Sequence, residues 1–484
     1  MRAPTVRRTR YAVLVAALLL ALGGWSATPA GGATGGPTPT PTSPTCAPGQ
    51  VLTRLATPAV PNAAGHAEPG ATPLPQGGST RTLCLPPPVT PQVAPRVAPE
   101  HVVGGPRLAE AGVVTDLPPG IPAPPDMPFA AYVLADLDTG EILAAKEAHA
   151  WLLPASTLKT LAALVLIPAL APGTAVVGAP EDTKAEGTRV GIVVGGRYTV
   201  DDLFNALILL SANDAAYALA RAYGGRAALL AEMNLTAQRL GAFDTVALDP
   251  SGLDADGQHS SAYDLALFGR AVMQLPDYRR RAVLPSATFP AGLVTPTGTT
   301  GPRTPTQGPP FQIANHNALL RSYPGIIGVK NGYTSKARNT YIEAAERGGR
   351  RLVIAELGSP EPQAHNTPAL FDWGFAYAGK ARAVGTLVAP GTAQRPPELG
   401  PGPIAAATSS APETTLVVQT RTGSTDPAAA PTATPVEHVI GAWWSALPDA
   451  ARWGLLALVA LLLVGILLVA RAVSRSRHRG AYQR

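Results

Sequence analysis

The chain has 484 residues, with 52 prolines and 49 glycines concentrated outside its middle, so a packed core fills only part of a length sufficient for two or three average domains. Its formal charge of +6 invites a nucleic-acid reading, but the distribution of that charge excludes it. Nine arginines lie in the two acid-free tails, four before Tyr11 and five from Arg471 onward, which leaves 29 basic against 32 acidic residues in between.

Tyr11 to Leu22 is a short apolar run behind Arg2, Arg7, Arg8 and Arg10, followed by small residues around Ala27 to Ala30. That is the layout of a secretory signal and is short for a membrane span, so residues 1–30 read as a signal peptide, with an uncleaved anchor as the alternative. Residues 31–125 form a Pro/Thr/Ala-rich extracytoplasmic segment, in which Pro37 to Pro44 favours extended polyproline conformations. Cys46 and Cys84 are the only cysteines. In an oxidising compartment they can form a disulfide, a local staple with no visible connection to catalysis. Patches at Val51 to Leu55 and Thr82 to Leu85 gain a little structure if they pair.

Regular structure begins with an apolar strand at Ala130 to Ala135, which Asp138-Thr139-Gly140 turns back into Glu141 to Ala145 as a hairpin. A helix follows Ser156 and is expected to end at Pro168. Val190 to Val194 and Tyr198 to Val200 flank a further turn signal, Gly195-Gly196. Asp201-Asp202 start a helix through Leu210, and Ala215 to Tyr223, Arg226 to Leu240 and Ala262 to Met273 read as three more. Phe289 to Pro310 reads as a long surface connection. Phe311 to Asn315, Ile326 to Lys330, Asn339 to Ala344 and Arg351 to Leu357 are strand material, with Gly348-Gly349 separating the last two as a hairpin. Thr367 to Tyr377 closes the set as a helix. Strands, then helices, then antiparallel strands give an α+β fold, residues 126–385. No Gly-x-Gly-x-x-Gly opens a βαβ unit and no Walker lysine follows a glycine loop.

Residues 386–450 return to Pro, Ala and Thr and read as a tether, not a second domain. Gly454 to Ala470 is apolar, with Trp453 on one side and Arg471, Arg475, Arg477 and Arg479 on the other. The pattern predicts a transmembrane helix over 453–473, a basic cytoplasmic tail over 474–484, and the middle of the chain outside the cell membrane.

The chemistry is carried by three short motifs. Ser156 and Lys159, three apart at a helix start, share one face, so the lysine can reach the serine hydroxyl and act as its base. Ser211-Ala212-Asn213 closes an apolar run, and Lys330-Asn331-Gly332 follows a strand entry. The order Ser-x-x-Lys, Ser-x-Asn, Lys-x-Gly resembles that of penicillin-recognising serine enzymes. With Leu134 to Glu141, Pro154-Ala155-Ser156, Ser251-Gly252-Leu253-Asp254 and Pro324 to Thr334, the stretch from Phe129 to Gly379 resembles the D-alanyl-D-alanine carboxypeptidases, the low-molecular-weight penicillin-binding proteins.

The resemblance implies a β-lactamase/transpeptidase-like fold, an antiparallel sheet with a helical subdomain. It implies removal of the terminal D-Ala from peptidoglycan stem pentapeptides through an acyl-enzyme on Ser156, with β-lactams as covalent inhibitors. Lys159 would activate Ser156, and Lys330 would lower the Lys159 pKa by repulsion and attract the substrate carboxylate. Ser211 would pass a proton to the leaving amine, while Asn213 would hold Lys159 and the substrate amide. Asn331, Gly332 and Thr334 would line the substrate site, and the backbone N–H groups of Ser156 and Tyr333 would form the oxyanion hole. Asn331 departs from the Thr or Ser usual in the family. No cofactor is implied; His149, His316 and His365 have no metal-ligand spacing. A serine β-lactamase and a non-catalytic peptidoglycan-binding envelope protein are the alternatives.

Overall fold

The computed structural model describes residues 46–59, 72–73, 78–294 and 306–403. The expected signal segment, membrane span and basic tail lie outside them, and among the described residues no helix is long and apolar enough to cross a membrane. Val51–Thr57 (β1) and Ser79–Leu85 (β2) pair antiparallel, with Leu55 opposite Arg81, and Cys46 is disulfide-bonded to Cys84. Ala131–Asp136 (β3) and Glu141–Lys146 (β4) form the expected hairpin. Its turn is fixed by Asp136 Oδ1, which accepts the N–H groups of Asp138 and Thr139, both at 3.0 Å.

The helices follow: Lys159–Ala169 (α1), Val200–Asn205 (α2), Asn213–Tyr223 (α3), Arg226–Arg239 (α4), Ala262–Val272 (α5) and Pro276–Ala282 (α6). Pro168 falls in the last turn of α1, which ends one residue later. Thr199 caps α2 reciprocally with Asp202, and Ser261 caps α5. The strands Ile326–Thr334 (β5), Arg338–Arg347 (β6) and Arg350–Ser359 (β7) and the helix Thr367–Tyr377 (α7) complete the domain.

The main sheet runs β5-β6-β7-β3-β4, all antiparallel, with Val113–Val114 and Gly385–Thr386 pairing with β4. Alternation along the strands divides its side chains between two layers. Ala131, Val133, Ala135, Val353 and Ala355 join the large core with α1 to α5, whereas Tyr132, Leu134, Leu352 and Ile354 meet Leu370, Phe371 and Trp373 of α7. Helix α5 lies so close to the sheet that a Cβ on Gly269 would come within 2.6 Å of the Ile342 side chain.

Three segments depart from their local pattern. The Val190 to Val194 side of the Gly195-Gly196 turn is no strand: the buried Asp214 carboxylate takes the N–H groups of Val190, Gly191 and Ile192 at 2.8–3.0 Å, and Arg197–Thr199 pairs with Ala175–Val177. The start of the Phe289 to Pro310 connection is not surface. Phe289 is fully buried, and Ser286–Phe289 pairs with Phe311–Ala314. Ala206–Leu210 continues α2 as a wider π-type turn that ends at Ser211. On either side of residues 126–385 the described chain also packs onto the domain. Leu108, Val114 and Leu387 are buried, and Trp373 donates to the Pro122 carbonyl at 2.9 Å.

Candidate active site

Ser156 sits in a tight 3-10 turn, Ala155–Leu158, that runs straight into α1. Ala155 adopts a left-handed conformation with φ 48°, a strain that persists only where surrounding contacts impose it. Those contacts come from two sides. A Cβ on Gly252 would fall 1.9 Å from the Ala155 carbonyl oxygen, so the loop after α4 rests directly on the turn. A Cβ on Gly332 would fall 2.7 Å from the Ser156 nitrogen, so β5 comes as near from the other side. Thr340 on β6 donates to the Pro154 carbonyl at 2.8 Å. Glycine at both positions is a steric necessity.

Lys159 is buried one turn on, with Nζ 2.8 Å from Ser156 Oγ, 2.6 Å from Asn213 Oδ1 and 2.6 Å from the Ser251 carbonyl oxygen. A neutral amine has two N–H donors and one lone pair. Two of the three contacts can only accept, so a neutral Lys159 spends both donors on Asn213 and Ser251 and leaves its lone pair to the serine proton. Burial is the main cause holding its pKa well below the ordinary lysine value, and repulsion from Lys330, the cause expected from the sequence, comes second.

Ser211 closes the wide turn with φ 65° and is buried two residues before Asn213, with no described residue bonded to its hydroxyl. Asn213 starts α3. Its Oδ1 meets Lys159 as expected, but its Nδ2 donates to the Glu186 carbonyl at 2.6 Å, so that end anchors a neighbouring loop.

Lys330, Asn331, Gly332, Tyr333 and Thr334 lie within β5, the edge strand of the sheet, which continues through the whole motif. Lys330 is 2 % exposed, and burial lowers its pKa to about 7, while Glu343 opposes the shift. Its Nζ donates to the Asn331 carbonyl at 2.6 Å and lies 3.5 Å from Asn331 Oδ1, which gives the Asn at this position a contact with the lysine. Tyr333 is 62 % exposed and directly follows Gly332, which lies against the Ser156 turn. Thr334 donates to Asp254 at 3.0 Å and ties β5 to the 251–254 loop.

Two contributors carried no role in the sequence reading. The Ser251 carbonyl is placed by Asp249, which accepts from the Ser251 N–H at 2.8 Å and is itself held by Tyr217 at 2.8 Å and Arg226 at 2.6 Å. The Asp-Pro-Ser-Gly turn sequence at Asp249 to Gly252 was the available signal. Glu343, fully buried behind Lys330, accepts from Asn317 Nδ2 at 2.8 Å and Gln363 Nε2 at 3.2 Å. Burial pushes its carboxyl well above the usual range. A charged residue at the centre of an apolar strand was its only mark. Among the described residues no group of side chains could hold a metal ion.

Residues 120–361 match the family model of D-alanyl-D-alanine carboxypeptidases, half of the chain and all three motifs. The chain is 41 % identical over 270 residues to the D-alanyl-D-alanine carboxypeptidase DacB2 of Mycobacterium tuberculosis, covering 54 % of this chain and 87 % of that protein. It is 28 % identical over 252 residues to the D-alanyl-D-alanine carboxypeptidase DacF of Bacillus subtilis, covering 51 % of this chain and 61 % of the relative. The crystal structure of a D-alanyl-D-alanine carboxypeptidase from Mycobacterium tuberculosis H37Rv superposes with a TM-score of 0.50 at 40 % identity, over 56 % of this chain and 99 % of that one. With a family model across half its length and a relative covered almost throughout, this chain belongs to the D-alanyl-D-alanine carboxypeptidase family.

Proposed function

We propose that the chain is a serine-type D-alanyl-D-alanine carboxypeptidase of the cell envelope, acting on peptidoglycan stem peptides through an acyl-enzyme on Ser156. The observation that carries this reading is the Lys159 amine, 2.8 Å from Ser156 Oγ with two carbonyl acceptors beside it. Ser156 Oγ attacks the carbonyl carbon of the penultimate D-Ala while its proton passes to Lys159. The oxyanion is met by the N–H groups of Ser156 and Tyr333, each such donor being worth about 2.7–4 kcal/mol of barrier. The C–N bond breaks, the proton reaches the departing amine through Ser211, and D-Ala leaves with its carboxylate facing Lys330. Water then attacks the ester while Lys159 takes its proton, and as the C–O bond to Ser156 breaks Lys159 returns that proton to Ser156 Oγ, which frees the shortened peptide.

A cleaved signal at 1–30 and a single C-terminal span at 453–473 complete the proposal. They are supported by charge and apolar patterning alone and would put the catalytic domain outside the membrane.

Intact-mass spectrometry after mixing with penicillin, run beside a D-Ala release assay, tests the reading. Wild type is expected to form a persistent adduct and to release D-Ala. Ser156→Ala should do neither, and Lys159→Ala should fold but acylate at least about 100-fold more slowly. Fast penicillin turnover without D-Ala release would make the chain a β-lactamase, and no adduct with no release would make it a binding protein.

A further inference from the structure

The disulfide-stapled β1–β2 sheet lies outside the stretch matched by the family model, yet one of its side chains is inserted beside the end of β7. Arg81 on β2 is 2 % exposed, and its Nη2 donates to Glu361 Oε2 at 2.8 Å and to Asn366 Oδ1 at 2.7 Å. Asn366 Nδ2 in turn donates to the same Glu361 oxygen at 3.0 Å. A charge-assisted triangle taken out of water favours one geometry, because displacing any member breaks two of its three hydrogen bonds in a buried setting; Glu361 is further met by His365 Nδ1 at 3.3 Å.

Between Glu361 and Asn366 in the chain lies Gln363, whose Nε2 reaches Asn317 Oδ1 at 2.7 Å and Glu343 Oε1 at 3.2 Å. Glu343 lies opposite Val329 in the β5–β6 ladder, one residue from Lys330, and its charge opposes the lowering of the Lys330 pKa. A bonded path therefore leads from the N-terminal sheet through the 361–366 segment to the carboxyl behind Lys330.

We propose that the stapled sheet is a positioning element of the substrate-carboxylate site, with Arg81 fixing Glu361 and Asn366 so that Gln363 holds Glu343 beside Lys330. The inference rests on the proposed function, in which Lys330 receives the substrate carboxylate. Removing Arg81 takes the buried guanidinium from Glu361 and leaves it only Asn366 and His365, so the 361–366 segment shifts to hydrate the carboxylate and Gln363 withdraws from Glu343. The Ser156–Lys159 pair is held by separate contacts and keeps its geometry. Binding of the carboxylate weakens while the chemical step is spared.

The test uses the full chain, with rates counted per penicillin-titrated site so that misfolded protein drops out. Arg81→Ala is expected to raise KM for a D-Ala-D-Ala peptide about tenfold with kcat within about twofold of wild type. Gln363→Ala should do the same, and the double variant should be no worse than either alone, because both break one path. Arg81→Lys should recover part of the loss, as should wild type over Cys46→Ser/Cys84→Ser. If Arg81→Ala yields no titratable protein, Arg81→Lys and Gln363→Ala carry the same comparison. An unchanged KM in an active enzyme, a fall in kcat at constant KM, or effects that multiply in the double variant would overturn the inference alone. A wild type that neither acylates nor releases D-Ala would overturn the proposed function, and this inference with it.

Discussion

Replacing Gly332 by Ala is the smallest perturbation that should disable the site without touching a reacting group. The new Cβ would stand 2.7 Å from the Ser156 nitrogen, 3.0 Å from the Thr157 nitrogen and 2.6 Å from Thr340 Oγ1. Ordinary contact begins near 3.4 Å, so β5 and the Ser156 turn must separate by about 0.7 Å. A misplacement of that order costs about 100-fold in rate, or about 2.7 kcal/mol of barrier. Overpacking adds about 1–3 kcal/mol of lost stability, which leaves a well-packed domain folded. Stopped-flow acylation by penicillin and D-Ala release, read beside a thermal melt, separate the two losses. The variant should remain folded, acylate about 100-fold more slowly, and not be rescued by adding Thr340→Ala, since the clash with the Ser156 backbone remains. Acylation within about threefold of wild type, or rescue by the second substitution, would refute the claim that Gly332 sets the distance to the nucleophile.

Other outcomes follow from the same geometry. Burial lowers the Lys330 pKa to about 7, so if its ammonium meets the substrate carboxylate as proposed, that form is present below this pH and lost above it, and kcat/KM should fall on an alkaline limb near pH 7. Lys330→Arg should abolish that limb because a guanidinium stays charged, and a limb unmoved by the variant would assign it elsewhere. In the unfolded chain this lysine titrates near 10.5, so its destabilising effect is full below about pH 7 and fades as pH rises towards 10.5, a trend that denaturant melts across pH should show against Lys330→Met. Asp214→Ala frees three buried or half-buried N–H groups and should cost about 3 kcal/mol, measured by urea unfolding; a loss under about 0.5 kcal/mol would mean water replaces the carboxylate. Protease added to spheroplasts should remove the Ser156 domain and leave a small membrane-bound stub, whereas full protection would overturn the topology.

What could be read from the sequence was local or punctuated. The β3–β4 hairpin and the β6–β7 hairpin have their turn residues written between alternating apolar runs, and α3, α4, α5 and α7 fall within a few residues of their expected ends. The three motifs were legible because each is a short pattern with its own chemistry. Hidden features depend on partners distant in the chain. Val190 to Val194 has the composition of a strand, but Asp214 takes its donors. The far end of the Asn213 amide is committed to a carbonyl 27 residues upstream, a contact with no sequence mark. Both causes of the Lys159 shift act as expected, but only repulsion can be weighed from two lysines in a sequence; that burial is the larger requires the whole fold.

Gly269 has a bearing on catalysis that its distance from Ser156 conceals. Lys159, the proposed base, rides on α1; Lys330, proposed to meet the substrate carboxylate, rides on the edge strand of the sheet; and α5 packs against both α1 and the sheet. The width of the cleft is therefore gauged by the thickness of one helix and by how closely it seats on β6 and β7. With a Cβ only 2.6 Å from Ile342, any larger residue at Gly269 would act as a shim. It would spread the two halves of the catalytic machinery without contacting either of them.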